Sequence, residues 1–263
     1  MGSVTRFLDS SIGRKVLMSL TGLFLCTFLI VHATGNLQLF KNDMGLAFNQ
    51  YSVFMTTFTP IKIVSYLLYA TILLHAISGI RLALANKAAR PVGYGSSKAA
   101  GSSSWASSNM MVLGFIILIF LVTHMSNFWY KYKFGDVEWV RYEVSVMDGS
   151  VMGKSTLPSA PNMQPHEYVV NDGVTAPTKF VIVKDLYSVV QLAFQEVWIV
   201  ALYLLGMLAI AYHLVHGFQS SFQTLGLRHP AVAGIIRNVG VWVFGIIIPI
   251  AFASMPVYFF FFA

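Results

Sequence analysis

The sequence predicts an all-α integral membrane protein with five transmembrane helices, on two observations. Charged residues make up 10% of the 263, against 56% hydrophobic residues and a mean hydropathy of +0.68. A soluble domain carries about a quarter charged residues, so here they are too scarce to cover a water-facing surface. Five segments are also apolar over the roughly 20 residues that a helix needs to cross a bilayer core. Lipid offers no partners for open backbone groups, so each of these segments must be helical.

The first span runs from about Lys15 to Thr34 and the second from about Ile63 to Leu84. The third covers Met110 to Tyr130. The fourth runs from about Val190 to Phe218, long enough to tilt or project, and the fifth from about Val239 to Phe261. Between the first two lies an amphipathic piece, Met44 to Phe58, ending at Pro60 and suited to the membrane interface. Arg90 to Ser108 is rich in Gly, Ser and Lys and reads as a flexible loop. The long polar segment Lys131 to Ser188 contains β-prone stretches at Val137–Val146 and Tyr168–Val183, which predict a small hairpin cap. No tandem repeat is visible, and the chain reads as one transmembrane domain over residues 1–263.

The net charge of +7 does not point to nucleic acid, because the cations flank apolar runs and form no stripe. The N-terminus does not read as a cleavable signal. Arg6, Arg14 and Lys15 precede the first span, Arg81, Lys87, Arg90 and Lys98 follow the second, and Arg228 and Arg237 lie between the last two. The positive-inside rule therefore places the N-terminus in the cytoplasm and the C-terminus outside.

Of seven histidines, five fall in predicted spans: His32, His75, His124, His213 and His216. An ionisable side chain inside a span is a functional candidate, although any one of them could instead serve a helix–helix hydrogen bond. The first four helices each carry at least one, as two bis-histidine haems would require. At ~1.5 Å rise per residue, His32 lies about 25 Å and His124 about 24 Å from the cytoplasmic end. His75 lies about 9 Å and His213 roughly 9–12 Å from that end. His32 thus pairs with His124 at an outer level, and His75 with His213 at an inner one. Two histidines fill both axial positions of an iron, which then moves electrons and does not readily bind oxygen. Zinc would want four ligands at one level. Cys26 is the single cysteine, and no Cys-x-x-Cys-His occurs, so a haem here is not attached through thioethers.

Gly22 and Gly114 lie ten residues before His32 and His124, and Gly79 and Gly217 four after His75 and His213. Glycines admit a flat macrocycle close to the backbone, or simply close helix packing. His213 and His216 share a helix face, and spacing leaves the choice between them open. His166 and His229 lie in polar loops and read as solvated.

The segment Ser19-Leu-Thr-Gly-Leu-Phe-Leu-Cys-Thr-Phe-Leu-Ile-Val-His32 resembles the first-helix signature of the dihaem cytochrome b subunit of succinate dehydrogenases and fumarate reductases, the complex II family. His75-Ala with Arg81, Leu113-Gly114 ahead of His124, and His213-Leu-Val-His-Gly217 running to Gly226 resemble helices two, three and four of that family. The likeness covers all five helices and is weak in the long loop. It implies that His32, His75, His124 and His213 hold two haem b groups, the register favouring His213 over His216. It also implies a bacterial inner-membrane anchor for a flavoprotein and an iron–sulfur subunit on the cytoplasmic side. Electrons would pass between these and menaquinone, with no dicarboxylate site in this chain. The chain departs from some fumarate reductases at Ala211, where those carry a membrane glutamate implicated in proton transfer.

Arg81 is the first candidate for a haem propionate, since the family also has Arg there; Arg14 and Lys15 lie near the same level. Each serves equally well as a positive-inside anchor. A quinone near the outer haem needs a donor or acid by its carbonyl, and Asn36, Gln38 and Glu196 lie at about that depth. Trp105, Trp129 and Trp198 read as interface markers. The basic N-terminal residues 1–15 and the Arg81–Ser108 segment are the expected meeting surface for an acidic partner or for lipid. Other readings are the cytochrome b of a hydrogenase or formate dehydrogenase, a haem-free proton-coupled transporter, and a purely structural anchor.

Overall fold

A computed structural model describes residues 6, 10–89, 105–159, 163–171, 173, 176–227 and 229–262. Most of the expected basic meeting surface, 1–5, 7–9 and 90–104, lies outside them.

Five apolar helical runs are long enough to cross a membrane: Ser11–Phe40, Thr59–Ala88, Met110–Phe134, Val197–Thr224 and Pro230–Phe262. By length and composition the chain is a multi-pass membrane protein. The first run is α1 (Ser11–Asn36) with a 3-10 turn, Leu37–Phe40. Ser10 Oγ accepts from Gly13 N at 2.9 Å and opens it. A short helix, α2 (Leu46–Thr57), precedes α3 (Thr59–Ala88), which carries Pro60 in its first turn, where no amide is needed. After a single turn, α4 (Trp105–Ser108), comes α5 (Met110–His124). It continues through a π-helical stretch, Met125–Tyr130, into α6 (Lys131–Phe134).

The segment expected to form a hairpin cap is instead a four-stranded antiparallel sheet of order β2-β1-β4-β3. Its strands are β1 (Trp139–Ser145), β2 (Val151–Leu157), β3 (His166–Val170) and β4 (Thr178–Lys184). The expected stretch Tyr168–Val183 thus contributes to two strands, β3 and β4. β2 escaped notice because Met152-Gly-Lys-Ser-Thr lacks the apolar alternation that marked its neighbours. His166 stands on β3 and remains exposed, as expected of a solvated residue.

The fourth span also differs from the expected Val190–Phe218. Asp185 caps a separate helix, α7 (Leu186–Ala193), by accepting from Ser188 N. The chain then turns through Phe194–Glu196, and α8 (Val197–Thr224) follows. Gly226, at φ +87, supplies the left-handed residue that ends α8, and Leu227 N returns to Phe222 O at 2.9 Å. The fifth span begins earlier than Val239. α9 (Pro230–Val239) is opened by His229, whose Nδ1 accepts from Ala231 N, with Pro230 in the first position. A π-helical stretch, Gly240–Ile247, joins it to α10 (Ile248–Phe262).

The chain forms two compact units. One comprises Met1–Ala33, Ser65–Leu121 and Ala201–Ser254; the other comprises Thr34–Val64, Val122–Val200 and Met255–Ala263. The first has a core of Cys26, Phe218, Phe244 and Ile248. In the second, period-2 alternation puts Val140, Tyr142 and Val144 of β1 on one face with Val181 and Val183 of β4, packed against Leu46 and Val53 of α2.

Beneath that face lies a buried polar node. Asn49 Nδ2 donates to the Tyr142 hydroxyl and to Asp185 Oδ1, both at 2.9 Å, while Asn49 Oδ1 accepts from Tyr187 N at 2.9 Å. Lys154 Nζ meets Asp185 Oδ2 at 2.7 Å, and Ser188 Oγ donates to the same oxygen at 2.6 Å. Each polar group of Asn49 and Asp185 is thereby engaged, as burial requires. Burial alone would raise the Asp185 carboxyl, but the hydrogen bonds from Lys154, Ser188 and Asn49 outweigh it and hold it below its ordinary 3.8.

Candidate functional site

Four helices of the first unit supply the candidate site: α1 gives Thr21 and Gly22, α3 gives His75, α5 gives Gly114 and α8 gives His213. The rings of His75 and His213 meet edge-on, with centroids 6.3 Å apart and planes at 63°. Two imidazoles on opposite sides of one metal ion, each bonded at about 2 Å, have ring centres separated by roughly 6 Å. The spacing would let the two rings hold one metal ion between them.

Two glycines let these rings lie close to a neighbouring helix backbone. A Cβ built on Gly22 would stand 3.3 Å from His75 Cε1, and one on Gly114 would stand 3.9 Å from His213 Cε1. By spacing these glycines go with His32 and His124, but in the structure they lie beside the other two histidines. Ten residues descend about 15 Å along a helix, enough to pass from one histidine level to the other. Gly79 would meet only Met18 Cε, at 3.4 Å, and Gly217 nothing within 4 Å.

Hydrogen bonding separates the two imidazoles. His75 Nδ1 lies 3.1 Å from Thr21 Oγ1. The buried His213 Nδ1 has no hydrogen-bond partner among the described residues. His216, one turn beyond His213 on α8, is half-buried.

His32, also in the first unit, stacks on Phe28 at 5.1 Å and lies 5.4 Å from the ring of Phe252. His124 belongs to the second unit, where it ends α5, its ring 5.4 Å from and edge-on to Phe128. The π-helical stretch starts at the next residue; widened turns of this kind recur at functional positions. Among the described residues no three His, Cys, Asp or Glu side chains gather around one metal position.

Arg81 is exposed on α3, six residues past His75, while the Arg14 Nε donates to Ser10 O at 3.4 Å and Lys15 is exposed. Asn36 ends α1 and Gln38 lies in the 3-10 turn, both half-buried. Glu196, in the turn before α8, lines a cavity of about 520 Å³ with Lys131 and Asp136 and an apolar wall of Val189, Leu192 and Ile199. Neither Asn36 nor Gln38 lines it. Lys131 and Asp136 are not legible as part of a site, because they fall in or next to the long polar segment, whose folding back no spacing rule reveals. Trp105 meets Tyr212 edge-on at 5.5 Å, and Trp129 meets Phe134 at 5.6 Å.

No protein-family model, curated protein or solved structure matches this chain.

Proposed function

We propose that the chain is the membrane-anchor and electron-transfer subunit of a succinate:quinone oxidoreductase. In this reading four histidines bind two b haems, His75 with His213 at the inner level and His32 with His124 at the outer. The observation that carries it is the juxtaposition of His75 and His213, centroids 6.3 Å apart, with Gly22 and Gly114 beside their rings. The likeness of the four histidine segments to the complex II cytochrome b supplies the partners: a flavoprotein and an iron–sulfur subunit on the cytoplasmic side.

When bound, a bis-histidine haem supplies one-electron transfer at an iron closed to exogenous ligands. The chain's own residues do the rest. The histidines fix the two levels, which α1 sets about 15 Å apart between Gly22 and His32. Apolar side chains such as Phe28 and Phe252 keep water from the outer level. Arg81, six residues from His75 and exposed, is the candidate to neutralise a propionate. The Glu196 cavity offers a carboxylate to move a proton, the Lys131 ammonium to bind an oxygen, and an apolar wall for a quinone ring. The dicarboxylate chemistry belongs to the flavoprotein.

Haem content per chain, with oxidised and dithionite-reduced spectra of detergent-purified protein, tests the reading. Two low-spin b haems are expected. A well-folded, haem-free preparation from haem-replete cells would overturn it and bring a haem-free transporter forward.

A further inference from the structure

Thr21 sits inside α1, one residue before Gly22, and its hydroxyl has three neighbours. Oγ1 lies 2.8 Å from Leu17 O, 3.1 Å from Met18 O and 3.1 Å from His75 Nδ1. A threonine within a helix commonly returns its hydroxyl to the carbonyl one turn back. A hydroxyl has one hydrogen and two lone pairs, and a carbonyl can only accept. The shortest contact, to Leu17 O, therefore takes the hydrogen. Towards His75 the oxygen then presents a lone pair, so the hydrogen in that contact comes from the ring.

From this we propose that Thr21 is a positioning residue for His75. It accepts the Nδ1 hydrogen, fixes the Nδ1–H tautomer and leaves Nε2 as the nitrogen with a free lone pair. A metal ligand needs that form, with its second nitrogen held by an acceptor.

Two features reinforce the assignment. Gly22 leaves only 3.3 Å between a built Cβ and His75 Cε1, so any side chain there would displace the ring that Thr21 holds. The nearby Ser221 hydroxyl is committed to Gly217 O at 2.8 Å and does not compete. His213 has no such acceptor, since its buried Nδ1 is unpartnered among the described residues. The two imidazoles are therefore unequal. An acceptor on the distal N–H makes a ligand more basic, which favours the oxidised metal and lowers its reduction potential. In the haem reading, on which this consequence rests, Thr21 holds down the potential of the inner level alone.

The test is a spectroscopic redox titration of the full chain as wild type, Thr21→Val and Thr21→Ser. Thr21→Val, nearly isosteric, should keep two low-spin haems and move the inner potential upward with the outer one unchanged. Thr21→Ser should return it to the wild-type value. Coincident potentials for wild type and Thr21→Val would overturn the proposal. So would a serine variant that behaves as valine, or loss of the inner haem from both variants, since either marks a packing role. A haem-free wild type would overturn the functional reading instead. The ¹⁵N spectrum of His75 then decides the tautomer: a hydrogen on Nδ1 supports the assignment and one on Nε2 overturns it.

Discussion

His75 and His213 lie side by side, and among the described residues the Nδ1 of His75 has a hydrogen-bond partner while that of His213 has none. In the proposed haem reading, replacing either with alanine should remove the inner haem and spare the outer one, read from the reduced α-band and haem count. His216→Ala should keep both; loss of the inner haem there would reassign the ligand. His32→Ala or His124→Ala should remove the outer haem alone. These histidines were legible in the sequence because an imidazole stands out in an apolar run and depth follows from a constant rise. The partners of the rings were not. Thr21 and His75 are 54 positions apart, and only helix rotation and packing bring them together. Gly22 was singled out for a different histidine, because sequence spacing measures distance along one helix and says nothing of its neighbour.

The elements gave up their existence more readily than their ends. All five spans follow from apolar length, but α8 starts at Val197 because α7 is capped separately by Asp185. The fifth helix reaches back to Pro230 because His229 caps it, a role that its being a histidine before proline did not announce. The sheet was only partly legible, since β2 lacks an apolar face. Its polar node makes the element predictions. Lys154→Met should leave the Asp185 carboxylate buried without its cation and destabilise the cap by about 3–5 kcal/mol, read as a lower thermal midpoint or faster proteolysis of the loop. Gly45→Ala should cost at least ~1 kcal/mol, because φ is +87 there and the Tyr187 ring lies against the missing side chain. The pH dependence has a definite sign. The folded Asp185 carboxyl is held below 3.8, so its contribution is complete above that value and is lost as the pH falls through the lower folded value. The cap should therefore loosen only in strong acid, and Asp185→Asn should flatten that acid limb of the stability curve.

For the molecule as a whole, five candidate spans among the described residues should put the start of the first and the end of the last on opposite sides of the membrane. With the cations before the first span and after the second, the N-terminus should be cytoplasmic and the C-terminus outside. A reporter fused after Phe262 and active only outside the cytoplasm should report activity; silence there with activity at the N-terminus would reverse the orientation. Composition alone made the membrane legible. It could not reveal that the chain divides into two compact units, because that division cuts through the interiors of the apolar helices, where no change of composition marks it.

The Asn49 node also has a bearing on biogenesis. Its amide waits for Tyr142, 93 positions later, and for Asp185, 136 positions later. At a synthesis rate of about 5–20 residues per second, the second partner leaves the ribosome roughly 7–27 seconds after Asn49 does. Throughout that interval α2 must be held by water, lipid headgroups or an insertion factor rather than by its final neighbours. A nascent chain arrested before Asp185 should accordingly expose the Met44–Phe58 segment to protease, and one released past Ser188 should protect it.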